Sequence, residues 1–140
     1  MRDRLHAGLI DKLGDGAVRL NGHPQRRLPN TLSLSFRGVE ANSLLSEIGE
    51  QVAASAGAAC HADQVRVSAV LQAMAVPLEW AMGTLRFSVG RGTTPDDIDR
   101  AIEIVHAGRV CGGKRRRSLD TKDNQEAESY TTNQFHVHLP

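Results

Sequence analysis

The chain has 140 residues and a mass of 15.2 kDa, which allows one domain with a hydrophobic core and excludes a large multidomain enzyme. Hydrophobic residues make up 40% and charged residues 24%, the balance of a globular protein, and no apolar run approaches the roughly 20 residues of a bilayer-spanning helix. The net charge is only +1, and residues 1–111 carry equal numbers of acidic and basic side chains, which argues against nucleic acid as a partner.

Apolar residues at helical spacing predict a first helix near the N-terminus, built on Leu5 and Leu9 and ended by the glycines at 14 and 16. A short strand at 17–20 and a turn-rich connection follow. Residues 32–36 then alternate strictly, which predicts a half-buried strand with its leucines and phenylalanine facing the core. Asn42 or Ser43 is the predicted cap of a second helix, whose apolar side runs from 44 to 52.

Residues 53–60 consist almost wholly of small side chains, which predicts an extended segment followed by a loop. Two short helices are predicted at 68–74 and 77–82. The second clear strand is 85–89, with Arg86 and Ser88 on the face opposite the core.

The last helix has the clearest start signal, because Thr94 can act as its cap and Pro95 occupies the first helical position. The two aspartates that follow complement the helix dipole. Strands and helices do not alternate regularly, so we predict a small α+β domain with helices packed on a mostly antiparallel sheet. The domain should span 1–110, and 111–140, which includes the basic run 114–117, should be a disordered tail.

Cys60 and Cys111 are the two cysteines of the chain, too few for a disulfide framework and without the paired spacing of a zinc site. The first residues lack the apolar stretch of a secretory signal. We therefore predict a cytoplasmic protein with free thiols and no membrane partner. His136 and His138 have no third ligand nearby in the sequence, so no metal site is predicted.

Cys60 is the first candidate for chemistry, because a thiol on a small-residue segment can be exposed and the neighbouring His61 could favour its thiolate form. A buried cysteine acting as a small hydrophobe is an equally good interpretation. Arg86 is the second candidate, because an arginine held on a strand presents a rigid fork for a carboxylate. Taken by itself, an exposed strand arginine with no ligand explains Arg86 better.

Two segments carry a family resemblance: 56–63, AGAACHAD, and 85–94, LRFSVGRGTT. The chain resembles the C-terminal part of cysteine desulfurases and selenocysteine lyases, which depend on pyridoxal phosphate and have the class V aminotransferase fold (fold type I). The resemblance extends from about residue 2 to about residue 105.

This resemblance implies a role for each candidate. Cys60 matches the loop cysteine whose thiolate takes sulfur from L-cysteine held on the cofactor, releasing alanine; with L-selenocysteine, selenium leaves instead. Arg86 matches the arginine that binds the substrate carboxylate. The implied partners are a cofactor-binding large domain or dimer partner and a sulfur-acceptor protein.

The chain departs from the family in one respect, because it lacks a counterpart of the large domain with its Schiff-base lysine. Lys12, Lys114 and Lys122 are its lysines, and none has surroundings that resemble those of the cofactor lysine. We therefore expect a truncated or split gene product that is inactive alone. The alternatives are a thiol carrier or partner-binding module that uses Cys60, and a non-functional fragment.

Overall fold

Five helices and six strands make up the part of the chain that the computed structural model describes, residues 1–61 and 64–110. The helices are α1 (Arg2–Leu13), α2 (Ala41–Ile48), α3 (Ala69–Ala73), α4 (Leu78–Ala81) and α5 (95–110). The strands are β1 (Val18–Leu20), β2 (Thr31–Phe36), β3 (Ala54–Ala56), β4 (Ala58–His61), β5 (Gln64–Val67) and β6 (Thr84–Ser88).

One four-stranded sheet organises the fold, with the order β1-β2-β6-β3 and every neighbouring pair antiparallel. The remaining strands, β4 and β5, pair with each other as a separate hairpin. In the central pair, Leu34 stands opposite Leu85 and Leu32 opposite Phe87. Because side chains alternate across a strand, these four build one continuous apolar face. The predicted α+β class and antiparallel sheet are confirmed.

The core lies between this apolar sheet face and one apolar stripe from each of the three longer helices, α1, α2 and α5. Its largest fully buried hydrophobic side chains are Leu9, Leu32, Leu34, Phe36, Leu44, Ile48, Leu85 and Val105. Complete burial of one such side chain contributes on the order of 2 kcal/mol to stability. The core faces predicted for the first helix, both clear strands and the last helix are confirmed.

The second helix begins differently from the prediction, because its cap is Glu40 rather than Asn42 or Ser43. The Glu40 carboxylate accepts hydrogen bonds from the backbone N–H of Asn42 (3.3 Å), the backbone N–H of Ser43 (3.0 Å) and the Ser43 hydroxyl (2.6 Å). Partial burial opposes ionisation, but these hydrogen bonds outweigh it and lower the pKa of Glu40. A glutamate is an uncommon cap, which is why the pattern favoured the shorter polar residues.

The start of α5 matches the prediction. The Thr94 hydroxyl oxygen accepts from the backbone N–H of Asp97 at 3.2 Å, and the Asp97 carboxylate accepts from the backbone N–H of Thr94 at 2.9 Å. This reciprocal pair satisfies two of the N–H groups that a helix start leaves without partners.

The two short helices match their predicted positions, with Ser68 and Pro77 as caps, but the apolar face of α3 does not. Leu71 is buried, whereas Val70 is 66% exposed and Met74 is 37% exposed. A helix of five residues has room to bury only one side chain against the sheet edge. No helix among the described residues has the length and apolar character needed to cross a membrane. The predicted tail, 111–140, with its basic run and His136 and His138, lies outside the described residues.

Gly83 lies between α4 and β6, where the chain passes closest to the end of β2. A Cβ at this position would overlap the carbonyl oxygen of Phe36 and stand 2.8 Å from that of Val39. Because both obstacles are backbone atoms, the strand would have to move. We expect Gly83→Ala to destabilise the fold by about 3 kcal/mol. Urea unfolding followed by circular dichroism measures this, with Gly92→Ala, whose Cβ meets nothing within 4 Å, as the control. Equal unfolding midpoints for the two variants would contradict the expectation.

Candidate functional site

Arg86 lies near the centre of the sheet, on the face turned away from the core. Its strand pairs on both sides, so that Ser33 of β2 and Ser55 of β3 stand directly opposite it in register. Arg86 is exposed, on the face predicted for it. Among the residues whose side chains the structure describes, 1–58 and 67–110, its guanidinium has no hydrogen-bond or ion-pair partner. The arginine is therefore held at its base by two neighbouring strands while its charged end remains available.

Hydroxyl side chains surround Arg86 on this side of the sheet, which we call the polar face. Its members are Arg19 of β1, Thr31, Ser33 and Ser35 of β2, Ser55 of β3, and Thr84, Arg86 and Ser88 of β6. These strands carry no acidic residue. A guanidinium flanked by hydroxyl donors, with no carboxylate to neutralise it, can bind a small anion in a bidentate manner.

Cys60 lies in strand β4, opposite Val65 of β5, and not in the predicted loop. The strand follows β3 after a single residue, Gly57. Strand β3 pairs with β6, and Ala56 stands opposite Leu85. The hairpin that carries Cys60 therefore begins at the end of the strand that neighbours the strand of Arg86. Two candidates that lie 26 positions apart in the sequence therefore belong to neighbouring elements: Arg86 lies in β6, and the hairpin of Cys60 follows β3, which pairs with β6.

Gly57 connects β3 to this hairpin, and both its backbone N–H and its carbonyl are hydrogen-bonded. Its backbone N–H donates to the Thr84 carbonyl at 2.7 Å, and its own carbonyl accepts from the Ser68 N–H at 3.1 Å. A Cβ on Gly57 would stand 2.7 Å from Thr84 Cγ2 and 3.0 Å from Leu71 Cδ1. The small-residue pattern of 53–60 therefore has a local reason, because only glycine allows this close approach.

The other sequence candidates gain little from the structure. His61, the sequence neighbour of Cys60, lies in β4 opposite Gln64. In the described ranges, no three His, Cys, Asp or Glu side chains are grouped to hold a metal ion. The segment from Gly90 to Gly92 forms a turn, in which the Gly90 N–H donates to the Thr93 hydroxyl at 2.9 Å.

Sequence reasoning missed several polar residues near Arg86. Ser33 and Ser55 are its neighbours across the sheet, and Asn21 donates to the hydroxyls of Ser33 (3.3 Å) and Ser35 (2.8 Å). The alternation of 32–36 showed that hydroxyls share one face, but it did not show which strand lies beside them. That information depends on the strand order.

No family model matches the chain. It is 42% identical over 106 residues to the cysteine desulfurase IscS of Methanosarcina thermophila, covering 75% of this chain and 26% of that protein. It is 39% identical over 128 residues to the cysteine desulfurase of Trichormus azollae, covering 91% of this chain and 30% of the relative. The solved structure of a NifS-like protein from Rickettsia africae is similar with a TM-score of 0.59 at 26% identity, over 76% of this chain and 27% of the other.

The similarity is therefore confined to part of each relative, since the chain spans under a third of the length of the curated proteins it matches. Within this chain the match is broad, at three quarters of the residues or more. The resemblance inferred from segments 56–63 and 85–94 is confirmed.

Proposed function

We propose that this chain, a cysteine desulfurase-related domain, binds the carboxylate of L-cysteine through Arg86 and receives the substrate sulfur on Cys60. The observation that carries the proposal is the placement of Arg86 at the centre of the polar face, with its guanidinium unpaired among the described residues. A bound carboxylate would accept two parallel hydrogen bonds from that guanidinium, which fixes its orientation.

The sulfur-transfer step would use Cys60, whose strand, β4, begins directly after Gly57. The Cys60 thiolate attacks the sulfur of the substrate, so that an S–S bond forms while the bond between that sulfur and the substrate Cβ breaks. The electron pair of the broken bond stays on Cβ, which takes a proton. The products are L-alanine and a persulfide on Cys60, and a sulfur-acceptor protein would remove the terminal sulfur.

Stabilising the electron pair on the substrate is the task of pyridoxal phosphate, on which the cysteine desulfurase family generally depends. The described residues do not fit this cofactor. Lys12 is the lysine among them, and its ammonium is paired with the Glu103 carboxylate at 2.7 Å. The hydrogen bond and the charge of Glu103 raise the pKa of Lys12, which opposes the neutral amine that an imine requires. We therefore propose that a further protein segment, such as the part of the relatives that this chain does not span, binds the cofactor.

Exposed apolar side chains support the idea that a further protein surface covers this domain. Val70, Met74 and Leu78 are 66%, 37% and 60% exposed, and they occupy the short helices that follow the Cys60 hairpin. Several exposed apolar side chains within one short stretch of sequence favour contact with another protein surface.

A chimera tests the proposal. In the cysteine desulfurase of Trichormus azollae, the segment that matches this chain is replaced by the full chain, and the product is called the chimera. We expect the chimera to release sulfide from L-cysteine in the presence of pyridoxal phosphate and a thiol reductant. The full chain alone, given the same cofactor, should release none.

Two controls make the result interpretable. The relative with its matched segment deleted should be inactive, and the absorbance spectrum of the chimera should show that cofactor is bound. A chimera that folds and binds cofactor but releases no sulfide would overturn the proposal. Sulfide release by the chain alone would overturn its dependence on a second domain.

A further inference from the structure

Beside Arg86, the polar face contains a chain of buried hydrogen bonds. The Asn21 amide donates to the Ser35 hydroxyl at 2.8 Å, the hydroxyls of Ser35 and Thr84 are 2.7 Å apart, and Thr84 donates to the Trp80 carbonyl at 3.2 Å. We call this chain the Asn21–Thr84 relay. Its three side chains are 8%, 0% and 2% exposed, although each belongs to a residue type that usually faces water.

The Trp80 carbonyl, at the end of the relay, determines which group donates in each of its hydrogen bonds. The Trp80 carbonyl can only accept, so the single proton of Thr84 points to it, and Thr84 must accept from Ser35. Ser35 then has its oxygen left to accept the Asn21 N–H. The relay thus has one consistent set of donors and acceptors, which connects β2, β6 and Trp80 of α4.

The relay opposes sliding between β2 and β6. Ser35 stands opposite Thr84, and two residues along each strand Ser33 stands opposite Arg86. A slip by one residue would turn these hydroxyls into the apolar core and would move Arg86 to the other face. Because burying a hydroxyl without a partner is unfavourable, the paired hydroxyls favour this register.

Thr84 also supports the Cys60 hairpin. Its carbonyl accepts from the Gly57 N–H at 2.7 Å, and its methyl group stands where a Cβ on Gly57 would need to be. The two hydrogen bonds of the hydroxyl hold the side chain in one rotamer, which keeps the methyl group toward Gly57. Thr84 therefore both contacts Gly57, where the hairpin begins, and helps to fix the register of the strand that carries Arg86.

We propose that Thr84 is a positioning residue that holds the substrate-binding Arg86 and the Cys60 hairpin in one fixed arrangement. Its hydroxyl acts on Arg86 through the relay, and its methyl group acts on the hairpin through Gly57. This inference rests on the function proposed for Arg86 and Cys60.

Two substitutions separate the two halves of Thr84. Thr84→Val keeps the shape and removes the hydroxyl, whereas Thr84→Ser keeps the hydroxyl and removes the methyl group. In the chimera, Thr84→Val should raise the KM for L-cysteine about tenfold, because a displaced Arg86 binds the carboxylate poorly, and Thr84→Ser should leave the KM within about twofold.

Two measurements on the full chain report on the hairpin: amide hydrogen exchange at Gly57, and the rate at which iodoacetamide alkylates Cys60. All proteins compared carry Cys111→Ser, so that Cys60 is the one cysteine that can react. Thr84→Ser should raise both rates several-fold. Loss of stability alone would lower the melting temperature of both variants without moving KM or the alkylation rate measured well below it, and that outcome would overturn the inference.

Ser35→Ala is the alternative variant if Thr84→Val does not fold. It removes the central hydroxyl of the relay but keeps the hydrogen bond from Thr84 to Trp80, and it should also raise the KM for L-cysteine. The result for Arg86→Ala separates the two proposals. If that substitution leaves KM unchanged, the proposed function fails; if it raises KM while neither Thr84→Val nor Ser35→Ala does, the positioning role of Thr84 fails.

Discussion

In the chimera, Cys60→Ser should reduce sulfide release from L-cysteine by roughly a thousandfold or more, because removal of an attacking nucleophile typically costs at least this much. A serine hydroxyl has nearly the size of a thiol but is neither ionised near neutral pH nor able to form a persulfide. Sulfide release is measured with a thiol reductant present, and the persulfide is located by mass spectrometry of peptides after incubation with L-cysteine.

Cys111→Ser is the matched control for this substitution, because it removes the second cysteine of the chain. It should leave both sulfide release and the persulfide on the peptide that contains Cys60 unchanged. If the Cys60→Ser chimera still carries a persulfide on this segment, or if Cys111→Ser removes it, Cys60 is not the sulfur acceptor.

Arg86→Ala should raise the KM for L-cysteine by about a hundredfold, since a charge-assisted hydrogen bond contributes about 1.5 to 3 kcal/mol and the substitution removes two of them, whose effects are not fully additive. The kcat should fall as well, because a substrate that is no longer held by its carboxylate presents its sulfur less often to Cys60. Arg86→Lys keeps the charge but not the planar fork, so its KM should lie between those of the other two proteins. Steady-state kinetics of the chimera measures all three.

Arg91→Ala is the control for the loss of a positive charge, because Arg91 is exposed in the turn after β6 and lies off the polar face. It should change the KM by less than about twofold, as expected for a surface charge screened by water. Equal effects of Arg86→Ala and Arg91→Ala would mean that general electrostatic attraction, and not a carboxylate site, explains the loss.

Together the two substitutions test different steps of the proposed reaction. Cys60→Ser leaves substrate binding in place and removes the sulfur acceptor, so KM should change little where activity is still measurable. Arg86→Ala leaves the acceptor in place and weakens binding, so a persulfide should still form at high L-cysteine concentration. Opposite behaviour would exchange the roles assigned to the two residues.

Much of the fold was predictable because periodicity records which side of an element is buried. The strict alternation in 32–36 and 85–89 predicted two strands with correct inward faces, and it placed Arg86 on the opposite face before any contact was known. The cap at Thr94 was predictable for a similar reason, since the capping hydrogen bonds join residues three positions apart.

The start of α2 shows where local rules were insufficient. Asn42 and Ser43 are better caps by residue type, yet their backbone N–H groups are the donors and Glu40 is the acceptor. The chain reaches this helix through Val39, which is buried in the core, and that packing places Glu40 at the helix start. Tertiary packing overrode a preference of about 1 kcal/mol.

The amino-acid sequence by itself determined the helices and the two central strands with their inward and outward faces, the two candidate residues and the family they resemble, but not the β4–β5 hairpin. Only the tertiary structure decided that β3 pairs with β6, so that Ser55 stands beside Arg86 and the Cys60 hairpin starts from the neighbouring strand. It also decided that Asn21, Ser35 and Thr84 are buried and joined to one another. The physical reason is that strand order and the burial of polar groups depend on contacts between distant segments, which no local periodicity records.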